Sequence, residues 1–415
     1  MDCEGYYEMS RQFSIPTVLR MVPNELLAQF FIRLGLGDLD IKWNELGERE
    51  PEPIIKEISQ LSRSEQDAIE GALRSVFDLA CESGIDAIFE AALKAGDLDL
   101  PQAIPHDVGP YAKAMWTWLH RVETFEAASM IHQVEHLSWW RKRRDLPKRR
   151  ADSSLAARNH LGKLISDLLL MEQGRGQDCT VEHFSRSDGT DYFFAYPDDF
   201  VQNVTAHDED GVLTPRTFRQ TFVIVFAFNP DEGTLELFAR VAPKLKAKIE
   251  NLFARAMLGT DLGNWSPEAA YELNQLKDPS FELATDPEDR VRAYIRKVRL
   301  SFKNSERRIW LEVHDDHDNI HDMIDECLDR ERVSLSDVNL TLVTFTFQFQ
   351  PLEGRKAGTL TFDVAWPSSC GLRNQRPERI EVAQKYLKRW KIDGGRALKF
   401  DYEAAREQSA EDVEE

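Results

Sequence analysis

Leu340-Thr341-Leu342-Val343-Thr344-Phe345-Thr346-Phe347-Gln348-Phe349-Gln350 decides the architecture of this chain. Val343, Phe345, Phe347 and Phe349 fall on one side of an extended strand, and Leu342, Thr344, Thr346 and Gln348 on the other. A period of two with one apolar face predicts an antiparallel sheet buried on one side. Beyond a loop holding Gly354 and Gly358, the residues Leu360, Phe362, Val364 and Trp366 alternate again and supply the pairing strand. A helix follows, with Pro377 in its first turn and Ile380, Ala383, Leu387 and Trp390 at helical spacing.

The same order is legible upstream. Residues 180–184 and 192–196 read as a hairpin around Ser187-Asp188-Gly189, and 222–228 and 234–241 as another around Asn229 to Gly233. A helix then runs from Pro243 to a cap at Gly259. Residues 298–302 and 309–313 make the hairpin that precedes the strand at 340. Both stretches therefore read hairpin, connector, hairpin, helix. The expectation is two ββ-ββ-α pseudo-repeats packed side by side with a common strand order.

Before Cys179 the apolar period is helical. Leu26, Leu27, Phe30 and Phe31 share a face. Ser62 or Ser64 caps a long helix through Ile69, Leu73, Val76 and Phe77, and Ser83-Gly84 separates it from Ile85, Ile88, Phe89 and Ala92. Residues 153–171 form a further amphipathic helix ahead of a linker at Gly174-Arg175-Gly176. The expected class is a multidomain α+β protein. An all-helical domain at 1–173 carries the basic segment 139–150, α+β units follow at 174–265 and 280–395, and an acidic tail at 396–415 lacks the apolar spacing that order requires.

Bulk properties narrow the class. At 415 residues and 47.8 kDa the chain exceeds one ordinary core, and 42% hydrophobic with 30% charged residues is a globular composition. No apolar run reaches the ~18 residues of a membrane span. Five scattered cysteines with no C-x-x-C pair, and an acidic start at Met1-Asp2-Cys3-Glu4, predict a reducing, cytoplasmic setting without membrane contact.

The formal net charge is −20, yet residues 141–150 hold seven Lys/Arg and one Asp, a local charge of +6. The segment Trp139, Trp140, Arg141, Lys142, Arg143, Arg144, followed by Lys148, Arg149 and Arg150, predicts a site for a nucleic acid or an acidic protein. Guanidinium forks fit phosphate, and indoles stack on bases. Arg158 and Lys163 extend it. The competing explanation is a connector neutralised by the chain's own acids or by a helix carboxyl end.

Two clusters suggest metals. His314, His317, His321 and Asp318 lie where a strand gives way to a helix and offer ligands for a divalent ion, which would make the protein a metal-dependent hydrolase or nuclease. Capping by Asp318 or Asn319 explains the same acids. His132-Gln133-Val134-Glu135-His136 matches the H-x-x-E-H string of inverzincin peptidases, but both histidines point away from the apolar side formed by Met130, Ile131, Val134 and Leu137. There is no phosphate-binding loop, dinucleotide fingerprint or nucleophile elbow, and Cys370 reads as a core residue. The function expected is thus a non-enzymatic binding or regulatory subunit, homo- or hetero-oligomeric, of the kind that serves as an accessory component in bacterial antiviral defence systems, with the metal-dependent hydrolase or nuclease as the alternative.

Overall fold

Ser62 accepts from the Glu65 amide while Glu65 reaches back to the Ser62 amide, a capping box that fixes the start of a 17-residue helix. Such local signals set most of the N-terminal region. The structure is a computed structural model that describes residues 12–393 apart from 107, 138–139, 187, 209–210, 263–269, 304, 315–317, 330, 353–354 and 373–376; the acidic tail at 396–415 lies outside the described residues. The first helices are α1 (Ile15–Met21), α2 (Asn24–Arg33), α3 (Glu52–Ile58) and α4 (Arg63–Leu79). They are followed by α5 (Glu82–Ala95), α6 (Leu100–Ala103), α7 (Pro110–His120) and α8 (Val122–Glu135). Their core gathers Val18, Leu27, Phe30, Leu73, Ile88 and Met115. The break expected at Ser83-Gly84 falls earlier, at Ala80-Cys81. Gly84 lies inside α5, where a Cβ would stand 2.3 Å from the Leu79 carbonyl oxygen.

The rest of the chain forms a mixed set of elements. In order they are β1 (Arg141–Arg143), α9 (Leu155–Gln173), β2 (Cys179–Ser185), β3 (Asp191–His207), β4 (Leu213–Thr221), β5 (Ile224–Asn229), β6 (Thr234–Ala239) and α10 (Pro243–Leu258). Then come β7 (Val291–Phe302), β8 (Arg308–Glu312), α11 (Ile320–Cys327), β9 (Val338–Phe349), β10 (Gly358–Ala365), β11 (Ser369–Cys370) and α12 (Pro377–Arg389). A helical N-terminal region followed by an 11-stranded antiparallel sheet makes the protein mixed α+β. One compact unit is built on the chain up to Glu135 with Phe184–Asp188 and Phe200–Gln220; the other takes His136–His183, Gly189–Asp199 and the chain from Thr221. The basic segment and α9 therefore belong with the sheet, not with the helical unit that the sequence extended to residue 173.

Two side-by-side sheets were expected, and one sheet is found. Its order is β2-β3-β5-β6-β1-β11-β10-β9-β7-β8, with β4 paired to β3 off this path. The first set of strands runs 1-2-3-4, because β5 pairs with β3. The second runs 2-1-3-4, because β9 pairs with β7, the first strand of its hairpin. The shared strand order required by a strict ββ-ββ-α repeat is absent. What recurs is a smaller unit, β3-β5-β6-α10 against β7-β9-β10-α12, with its outer strand supplied from before it in one case and from within it in the other.

Register shows how the halves are covered. Leu237, Arg141, Ser369, Ala365, Leu342, Arg299 and Trp310 form one row across six neighbouring strand pairs, so all seven side chains share a face. On that face Leu235 and Leu237 pack with Leu161 and Ile165 of α9 and Ile249 and Phe253 of α10. Val343, Phe345 and Phe347 use the opposite face and pack with Tyr386 and Leu387 of α12, with Trp390 just past its end, and with Ile320 and Ile324 of α11. The helical layer changes sides at the middle of the sheet. The strand at the changeover is β1, the basic segment.

Candidate polyanion-binding face

The segment expected to carry the site lies largely inside. Alternation sends Arg141 and Arg143 toward α10 and Lys142 the other way. Arg141 Nε lies 3.0 Å from Glu250 Oε1, and Arg143 Nη1 donates to Glu250 Oε2 at 3.1 Å. Glu250 is 0% exposed. Arg143 is also paired with Asp145, Lys142 Nζ donates to both Asp393 oxygens at 3.2 Å, and Arg144 shares Asp393. Trp140 is 2% exposed; its indole donates to the Leu137 carbonyl at 2.8 Å and its ring lies against Phe238. Trp139 lies outside the described residues. The expectation that these cations stand at the exterior is thus corrected for Arg141, Lys142 and Arg143. Charges buried at a strand junction must be paired, and the partners sit far along the chain. Lys148, Arg149 and Arg150 are exposed, and Arg149 donates to Thr260 Oγ1 just beyond the carboxyl end of α10, where cations are favoured. Of the two flanking cations, Arg158 donates to the Val181 carbonyl and Lys163 pairs with Asp167.

The metal candidates separate. Asn319 caps α11 by accepting from the His321 amide at 3.0 Å. The His321 ring spans two oxygens, with Nε2 2.9 Å from the Leu276 carbonyl and Nδ1 3.1 Å from Asn319 Oδ1. His314 and Asp318 are exposed, and His317 lies outside the described residues. Among the described residues no group of three His, Cys, Asp or Glu side chains gathers as a metal site. In the H-x-x-E-H string His132 is buried, not solvent-facing, with Nε2 3.9 Å from Cys81 Sγ; α8 buries residues on several sides, so its flank is not free. Glu135 accepts from Arg186 at 3.1 Å. Cys370 is half-buried against the core, and burial pushes its thiol up to about 12, which does not suit a nucleophile.

A different surface collects the chemistry. Across β7 to β10, α11 and α12 occupy one face. The other presents Arg292, Tyr294, Lys297 and Arg299 from β7, Arg308, Trp310 and Glu312 from β8, Thr344 and Thr346 from β9, and Thr361 and Asp363 from β10. Arg292, Arg308 and Thr361 are exposed, and Trp310 is 53% exposed. Residues 290–313 carry eight Lys/Arg and two Glu, again +6. Within this stretch two Glu stand against eight cations. Glu312 serves both Arg296, at 3.2 Å, and Lys297, at 3.3 Å, while Asp363 accepts from Thr344. Burial first and the like charge of Arg308 second pull the Arg299 guanidinium below its usual range.

One end of this face is built rigidly. Arg299 donates through Nε to Thr341 Oγ1 at 2.8 Å and through Nη2 to the Thr341 carbonyl at 3.0 Å. Its guanidinium carbon lies 5.3 Å from the centre of the Trp310 ring. The same Thr341 carbonyl accepts from the amide of Trp366, whose side chain is 45% exposed. Sequence reading missed this surface because its cations are spaced by strand alternation and interleaved with core residues. The signal that finds it is charge counted over a strand pair and sorted by face. Comparison of the chain with known protein families, with curated proteins and with solved structures finds no match.

Proposed function

We propose that the protein is a non-enzymatic binding subunit that holds a nucleic acid on the open face of β7 to β10. The observation that carries this reading is the open-face row of Lys297 and Arg299 with the exposed Arg308 around the exposed Trp310, kept in a chain whose formal net charge is −20. Like charges held together on an anionic body cost stability unless an anionic partner compensates them, and phosphates do so with release of counterions. No described helix is long and apolar enough to cross a membrane, which fits a partner met in water.

The test is titration of a labelled oligonucleotide and of heparin, a generic polyanion, against the protein and its Arg292→Glu, Arg308→Glu variant. The variant is expected to bind both at least about ten-fold more weakly. Against single strands the slope of log K on log salt should flatten by about 1.4 units, for two lost phosphate contacts. Equal affinity of variant and parent across salt overturns the proposal.

A further inference from the structure

Resting on the polyanion reading above, we infer that the open face, where β7 turns into β8, binds the terminal phosphate monoester of a nucleic acid strand. Arg299, Ser301 and Arg308 hold the phosphate, and the end base stacks on Trp310. The site begins with an irregularity in β9. Arg299 pairs with Leu342 and Leu300 with Leu340, so Thr341 is an extra residue, a bulge whose side chain meets Arg299 and Ser301. Thr341 Oγ1 accepts from Arg299 Nε at 2.8 Å, and the Thr341 carbonyl accepts from Nη2 at 3.0 Å. The guanidinium is thereby fixed, with Nη1 left for a ligand. Thr341 Oγ1 also lies 2.7 Å from Ser301 Oγ. When Thr341 donates its proton to Ser301, the Ser301 hydroxyl keeps its own for an anion.

Arg308 stands opposite Ser301, and Trp310 opposite Arg299, so the four side chains share this face in two adjacent rows. The strand acids of the face fall in the next row. Glu312 lies opposite Lys297 and serves Lys297 and Arg296, and Asp363, further along that row, accepts from Thr344. The turn between β7 and β8 adds Lys303, Glu306 and Arg307. Among the described residues no ion pair joins Arg299 or Arg308 to a carboxylate. Two guanidiniums about one hydroxyl suit a monoester, which carries about two negative charges at neutral pH, better than an internal diester, which carries one. The indole argues for an end as well. Arg299 covers one face of the Trp310 ring, its guanidinium carbon 5.3 Å from the centre, and the ring is 53% exposed. A single base can therefore stack on the face that remains. Because β8 is the last strand at its side of the sheet, a strand end reaches the site from solvent without crossing the whole face.

The experiment measures anisotropy of a twelve-nucleotide oligothymidylate, labelled at an internal thymine, with a 5′-phosphate, a 3′-phosphate or neither. Labelled heparin is titrated in parallel, against the full chain, its Arg308→Gln variant and its Arg299→Lys, Ser301→Ala variant. At least one phosphorylated strand should bind the parent about ten-fold or more tightly than the unphosphorylated one, and which of them does so assigns the end. Both variants should shrink that preference to within about two-fold, while heparin and the unphosphorylated strand stay within about three-fold of the parent. Arg308 is exposed, so its change to Gln leaves the fold intact and decides the matter should the double variant not fold. Equal affinity of the three strands for the parent, or an Arg308→Gln variant that keeps the preference, overturns the inference. In that event loss of heparin binding in the Arg292→Glu, Arg308→Glu variant leaves the polyanion reading standing. A parent that binds neither heparin nor any of the strands removes both.

Discussion

Two segments of this chain carry the same local charge of +6, residues 141–150 and residues 290–313, and the fold puts them to opposite uses. In the first, four cations are consecutive, three of them form a central strand, and each of the four is matched to a carboxylate: Glu250, Asp393 or Asp145. In the second they are spread over a strand pair at the sheet's edge, where Glu312 is shared by two of them and Arg292 and Arg308 stay exposed. A contiguous basic run is a conspicuous string but says nothing about exposure. What separates structural from available charge is whether acids lie on the same face of neighbouring elements, and that is a property of register.

The comparison breaks if the first segment tolerates loss of its partners. Asp393→Ala leaves Lys142 buried without its counter-charge and should destabilise the protein by about 3–5 kcal/mol, read by urea unfolding. The triple change Lys142→Met, Arg144→Met, Asp393→Leu should recover most of that loss, because an apolar cluster of similar size needs no desolvated charge. A single variant as stable as the parent would mean that the strand is not held by its ion pairs.

A smaller effect sharpens the contrast by asking what exposed pairs contribute elsewhere in the same unit. Asp289 is bound by Lys385 and by the Tyr386 hydroxyl, which together hold its carboxyl below the usual range, Lys385 contributing most. A carboxylate lowered in the folded state adds stability that is complete above its unfolded pKa, about 4. That share is lost as pH falls through the lowered value. Asp289→Asn should therefore reduce Tm near neutrality and make it less dependent on pH below about 4. Parallel Tm curves for parent and variant across that range would contradict the assignment.

The smallest effect concerns the exposed end of the first segment. Lys148→Glu, Arg149→Glu, Arg150→Glu should change oligonucleotide affinity by less than about three-fold and stability by about 0.5 kcal/mol or less. A loss as large as that of the Arg292, Arg308 variant would return the binding site to the basic run.

What could be read from the sequence follows from the range of the forces involved. The alternation from Leu342 to Phe349 and the Gly259 cap of α10 are local, and the structure has each where the pattern puts it; of the two caps read for α4, Ser62 and Ser64, it uses Ser62. The strand β7 begins at Val291 rather than 298, because a register shift between Ile295 and Lys297 puts the extra residue Arg296 into the strand and breaks its apolar alternation. Likewise β3 runs on to His207, and β4 was not anticipated at all; its exposed, polar residues carry no burial signal. A strand made of Arg-Lys-Arg is invisible to hydropathy, and its partners lie 107 and 251 positions away. The candidate site was hidden for the same reason, since Arg299 and Trp310 face each other only through the register of β7 and β8.

The change of sides by the helical layer has a mechanical corollary. Where β6 and β10 would otherwise be adjacent, the sheet is closed by a rung of three residues on one flank and two on the other. Its thinnest hydrogen-bonded seam is thus in the centre and not at the rim. A pull that separates the two halves would meet little resistance from the backbone there, where the links of Lys142 and Arg144 to Asp393 reach across.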